Sequence, residues 1–184
     1  MEPAGPWGRT SAPFVLVTVL LSAPGQSSGP AAAPSPEAVR GMISELGPRQ
    51  AAEQVSNDST FLEAVASGVA SARREWLDVG VQLLGPAEDY LKDRIVEALG
   101  YALQHDPTAV LERGAAGVPL DAVCGYDPFR ADDNPPTLGQ FFQALAARER
   151  AVARVTRADL ASAKGTCLAA LAQRKAAGAR QYAP

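Results

Sequence analysis

The chain has one histidine, two cysteines and only three lysines, at Lys92, Lys164 and Lys175. A lone histidine with two distant cysteines makes a poor zinc set, because structural zinc takes four clustered nitrogen or sulfur ligands. Aromatic residues are sparse, at 6%. Alternating β-branched runs are equally scarce, which speaks against a sheet sandwich with a bulky core. No basic excess exists, since the net charge is -3. That sets nucleic acid aside, because binders of nucleic acid gather positive charge on one face. Serine-nucleophile, phosphate-loop and dinucleotide patterns are missing, and no cofactor is implied. Beyond residue 25 no apolar run approaches the ~20 residues that a membrane-spanning helix needs.

What the chain has is alanine. Alanine forms helices well and fills cores poorly, so helices packed closely through small residues are the expected architecture. Enrichment in Ala, Arg, Gly and Pro also fits a GC-rich, bacterial source. Phe14 to Ala23 reads FVLVTVLLSA, follows a short leader with Arg9, and precedes a Ser/Gly/Pro/Ala-rich stretch. Signal-peptide apolar cores are about 7–15 residues long, so residues 1–25 read as a signal peptide, with candidate cleavage points between 23 and 33. Residues 26–36 then form a flexible linker, 37–176 a single α-helical domain, and 177–184 a disordered tail. Export makes the two cysteines a natural pair, and a Cys124–Cys167 disulfide is expected.

Turn and cap signals divide the domain. Helices are expected from Pro36 to Leu46, Arg49 to Ser56, from Thr60 onward, Arg74 to Leu84, and Ala87 to Gln104. Asp106-Pro107 opens a sixth helix, and a short helical turn runs from Pro119 to Cys124. Asn57, Asp58 and Ser59 offer caps for the third helix, and Thr60-x-x-Glu63 and Thr137-x-x-Gln140 read as capping boxes. Gly68 suits a close helix contact. Trp76, Leu77, Gly80, Val81 and Leu84 share one helical face, and Tyr90, Leu91, Ile95, Leu99 and Leu103 another. Gly125 to Pro136 is loop. Thr137 to Ala176 is helical throughout, but unbroken it would be about 60 Å long, so a bend near Thr156 is expected. The fold class is all-α: stacked antiparallel helical hairpins with a HEAT-like rhythm, a long, bent carboxy-terminal helical segment and one disulfide.

Candidate chemistry is thin. Asp127, Asp132 and Asp133 put oxygen ligands in one loop, but the spacing matches no calcium motif and a solvated turn is the plainer reading. His105 lies at a helix end with no nucleophile beside it. Arg148, Arg150, Arg154 and Arg157 form a basic stretch, in which Arg150, Arg154 and Arg157 would share a face. That face could meet an acidic partner, an anionic headgroup or a cell-wall polymer. A solvated helix face interleaved with Glu149 is the commoner arrangement. Trp76, Tyr90 and Tyr101 could line a groove, and Phe129, Phe141 and Phe142 could surround the bridge, although aromatics at such spacing are usually core. Asn57-Asp58-Ser59 is a glycosylation pattern, relevant only to a eukaryotic secretory route.

The segments EWLDVGVQLL, EALGYALQHDPTAVL, VCGYDPF and TCLAAL resemble small exported proteins of Gram-negative bacteria. The resemblance runs from about Phe61 to Leu171. It implies the helical fold and the disulfide, and brings no activity. The reading that follows is an exported, non-enzymatic interaction or accessory module of the bacterial envelope, binding a protein or envelope component. The alternative is an envelope enzyme, or an enzyme inhibitor, acting on cell-wall material.

Overall fold

The computed structural model describes residues 33–115, 117–127 and 137–181. The expected signal peptide and most of the linker lie outside these, as do Phe129, Asp132 and Asp133. The described residues form nine α-helices and no strand.

Local chemistry sets the first boundaries. Helix α1 (Pro36–Leu46) begins with the Ser35 hydroxyl accepting from the Ala38 amide at 3.2 Å. Gly47 joins it to α2 (Pro48–Asn57) at φ +83°, a left-handed conformation that glycine adopts without a side-chain penalty. Helix α3 (Ser59–Ala70) corrects the Thr60 capping box. The Asp58 carboxylate caps it instead, accepting from the Thr60 and Phe61 amides at 2.8 and 3.3 Å. A short, fully charged carboxylate suits the positive end of a helix dipole, and Glu63 is engaged elsewhere, by Arg94.

Helix α4 (Arg74–Leu84) packs on α3, and α5 (Asp89–His105) is the axis of the domain. It touches α2, α3 and α4 from the first half and α6, α7 and α8 from the second. Leu91, Ile95, Leu99 and Leu103 are buried along it as the periodicity predicts. Tyr90 was grouped with them but is 61% exposed. It lies one residue, or about 100° of helical rotation, away from Leu91, and so leaves the inward stripe. Likewise Val81 is only half-buried, while Val79 and Leu83 are fully buried.

Helix α6 (Pro107–Ala115) is capped by Asp106, whose carboxylate accepts from the Ala109 amide at 2.9 Å. The short α7 (Leu120–Gly125) follows, then α8 (Leu138–Ala153), which starts at the expected Thr137–Gln140 capping box. The bend near Thr156 is present: α8 stops, a 3₁₀ turn spans Ala158–Leu160, and α9 runs from Ala161 to Gln181. Lys164 secures the corner by donating to the Ala153 and Val155 carbonyls, each at 2.7 Å. The tail expected from residue 177 begins inside α9, which runs on to Gln181. Gly178 is the reason. A Cβ there would lie 2.1 Å from a Phe141 ring carbon, so only glycine lets this last turn settle on the ring.

Candidate functional site

Helix α7 packs more extensively on α9 than any other two helices pack on each other, and the disulfide fixes that contact. Cys124 and Cys167 are bonded with α-carbons 5.3 Å apart, and both are fully buried. Phe141 is buried close by on α8, and Phe142 packs partly against the core, edge-on to it at 5.4 Å between centroids.

One charged side chain is buried among the described residues, Arg148 of α8. The expected basic surface is corrected here, because Arg148 is fully buried. Its spacing explains why. Phe141, Leu145, Arg148 and Val152 occur at i, i+4, i+7 and i+11, so the guanidinium occupies a place in the inward stripe. The same spacing is present in the sequence, although the charge of Arg148 argues for the outer face.

The pocket around Arg148 is built from three helices. Nη1 donates to the Tyr126 carbonyl at 2.8 Å, just past the end of α7. A cation near a helix carboxy-terminus meets its unpaired carbonyls and the negative end of its dipole. The Tyr101 ring of α5 lies 5.8 Å from the guanidinium carbon, within cation–π range. Gly100 provides clearance, since a Cβ there would stand 3.2 Å from the Val123 carbonyl and 3.5 Å from Nη2. Nε and Nη2 have no hydrogen-bond partner among the described residues. Burial pushes the guanidinium below its ordinary pKa, while Tyr101, Tyr126, Asp127 and Glu97 pull the other way. Asp127, one of the loop carboxylates, is ion-paired to Arg174 of α9, and that guanidinium lies 5.4 Å from the Phe141 ring centroid.

The other arginines separate. Arg150 and Arg154 are exposed and form no ion pair among the described residues. Arg157 lies beyond the end of α8, so the shared i, i+4, i+7 face does not form. It pairs with Asp159 and with Glu112 of α6, which hold its pKa above the ordinary value, and its own hydrogen bond lowers that of Asp159.

Trp76 is 5% exposed and lies flat against Gly68, where a Cβ would approach the ring to 2.3 Å. It forms part of one wall of an open cavity of about 440 Å³ with Ser67, Ser71 and Arg73. A second groove of about 190 Å³ runs between α3 and α5. Ala66, Ala70 and Ala98 make it narrow, and Glu63, Arg94, Glu97 and Tyr101 line it. Arg94 bonds Glu97 at 2.7 Å and reaches across to Glu63 at 3.3 Å. Trp76 and Tyr101 thus border different hollows, while Tyr90 lines neither. His105 is exposed at the end of α5. No cluster of three or more His, Cys, Asp or Glu residues suited to a metal occurs among the described residues.

Compared with protein families, with curated proteins and with solved structures, the chain matches none.

Proposed function

We propose that this chain is an exported accessory module of the bacterial envelope that binds a protein or an envelope component. The observation that carries this reading is the buried Cys124–Cys167 bond. Disulfides form and persist in oxidising compartments, and are rare where thiol reductants prevail. The apolar run from Phe14 to Ala23 supplies the matching address, and the resemblance to small exported proteins of Gram-negative bacteria agrees with it. None of the described helices is long and apolar enough to cross a membrane.

The groove between α3 and α5 is the contact face we assign. Tyrosine and arginine are residue types that dominate binding energy at interfaces, and Tyr101 and Arg94 line the groove. The alanine floor admits a narrow apolar side chain, and the Arg94 ion pairs with Glu63 and Glu97 line it with polar groups.

Two experiments test the two halves. Residues 1 to 35 are fused to a reporter active only outside the cytoplasm; a reporter that stays silent in the cytoplasm refutes export. Crosslinking in an envelope fraction then compares the native chain with Ala70→Glu, which fills the groove. A partner captured equally by both places binding elsewhere.

A further inference from the structure

We propose that Arg148 makes closure of the α7–α8–α9 unit conditional on the Cys124–Cys167 bond, so that the buried charge and the disulfide together form a redox latch. A guanidinium taken out of water is a burden unless its partners are held in place. Its carbonyl partner belongs to Tyr126, two residues after Cys124, and the carboxylate of Asp127 is one residue further on. Helix α7, which precedes them, has six residues, too few to persist by itself.

Besides its packing on α5 and the bond from Arg148, this end of α7 has two attachments from α9. One is the disulfide at Cys167, and the other is Arg174 on Asp127. Cys167 and Arg174 are seven residues apart, two turns along the same face. Apart from Cys167, the large apolar side chain that α9 buries completely is Leu171, joined by the small Ala170. Ala163 and Leu168 pack partly against the core, and Gly178, Lys164 and Lys175 tie α9 to α8 and the corner after it. With the bond absent, the covalent tie between α7 and α9 is gone, the Tyr126 carbonyl can move away from α8, and water reaches Arg148. The reduced unit opens for that reason, and the oxidised unit closes.

The chemistry balances as thiol–disulfide exchange with a disulfide-bearing oxidant. The thiolate of one cysteine attacks the oxidant's S–S bond and expels one of its sulfurs as thiolate. The second cysteine, also deprotonated, attacks the mixed disulfide and expels the other. The chain loses two electrons and two protons, and the oxidant leaves as a dithiol. Once formed, the bond is fully buried, so reductant reaches it only when the unit opens. The latch stands independently of the proposed function. Its use, keeping the chain open in a reducing cytoplasm and closing it after export, rests on that reading.

Hydrogen exchange on the full chain tests the latch, with α3 and α4 amides as internal reference. In the native chain, reduction is expected to lower protection across α7–α9 by at least tenfold more than across α3 and α4. Arg148→Met removes the charge at similar length. Reduced Arg148→Met is expected to recover at least tenfold of the lost protection, with little change in the oxidised form. The Cys124→Ala/Cys167→Ala double variant, with Arg148 intact, should reproduce the reduced pattern. Equal protection in reduced native and reduced Arg148→Met chains overturns the proposal. So does an oxidised Arg148→Met chain that fails to fold, because the charge would then support the closed unit.

Discussion

Gly68→Ala and Gly41→Ala are one chemical change at two helical positions, and the structure assigns them opposite signs. Removing a glycine from a helix interior gains about 1 kcal/mol, because the unfolded chain loses freedom and alanine favours the helix. At Gly41 in α1 nothing lies within 4 Å of an added Cβ, so that gain is realised in full. At Gly68 the same Cβ meets Trp76 ring carbons at 2.3, 2.5 and 2.6 Å. Ordinary contact between carbons needs about 3.5–4.0 Å, so the ring must move by more than an ångström. The ring is 5% exposed and packed on the core, and overfilling of this kind costs about 1–3 kcal/mol. Set against the helical gain, the packing loss leaves Gly68→Ala destabilised by up to about 2 kcal/mol. Urea unfolding of the oxidised chains, followed by circular dichroism, reads both. Each kcal/mol corresponds to about 2–4 °C in melting temperature for a domain of this size. A Gly68→Ala midpoint at or above that of the native chain, with unchanged slope, refutes the contact.

Other expectations follow from single features. Replacing Cys124 or Cys167 by serine opens a loop with a sequence separation of 43 residues. The chain-entropy relation puts the loss at about 4 kcal/mol, seen in denaturant midpoints under oxidising conditions and vanishing with reductant. Asp58→Ala should cost about 0.5–2 kcal/mol as a lost cap, while Thr60→Ala should cost less; the reverse order in urea midpoints restores the Thr60 box. The Asp159 carboxyl is held below its ordinary pKa chiefly by its hydrogen bond to Arg157. A group with a depressed folded pKa contributes stability above its unfolded pKa and loses it as pH falls through the folded one. Asp159→Asn should therefore flatten the acid limb below about pH 4, and an unaltered limb excludes the pair.

The helices were legible because each boundary has a local cause. Pro36, Pro48, Asp106-Pro107 and Thr137 act within one turn of themselves, and helical periodicity placed Leu91, Ile95, Leu99 and Leu103 inward before any contact was known. The disulfide followed from compartment and count. Arg148 was misplaced because charge was given priority over position in the stripe. What allows its burial is the Tyr126 carbonyl and the Tyr101 ring, brought from two other helices by packing at sequence separations of 22 and 47 (148 − 101) residues. Tyr90 was assigned inward on hydrophobicity alone, although its angle on α5 pointed outward. Arg157 left its supposed face once the corner after α8 was made, and that corner depends on Lys164 reaching back from α9. The α3–α5 groove was not legible, because it comes from which alanines oppose which across an interface.

The bond between Cys124 and Cys167 also changes how the chain can bear tension. Pulled from its ends, the oxidised polypeptide carries force directly across the sulfurs, and the 43 residues of separation between them never enter the load path. Full extension is therefore shorter by roughly 150 Å than for the reduced chain, at about 3.5 Å per residue. Helix α8 lies wholly inside the bypassed ring, so traction reaches it only through its neighbours. A narrow pore that draws the chain in from either terminus must, at the ring, admit at least two strands abreast. Order of events then matters mechanically: passage through such a pore is easy before the sulfurs join and obstructed afterwards.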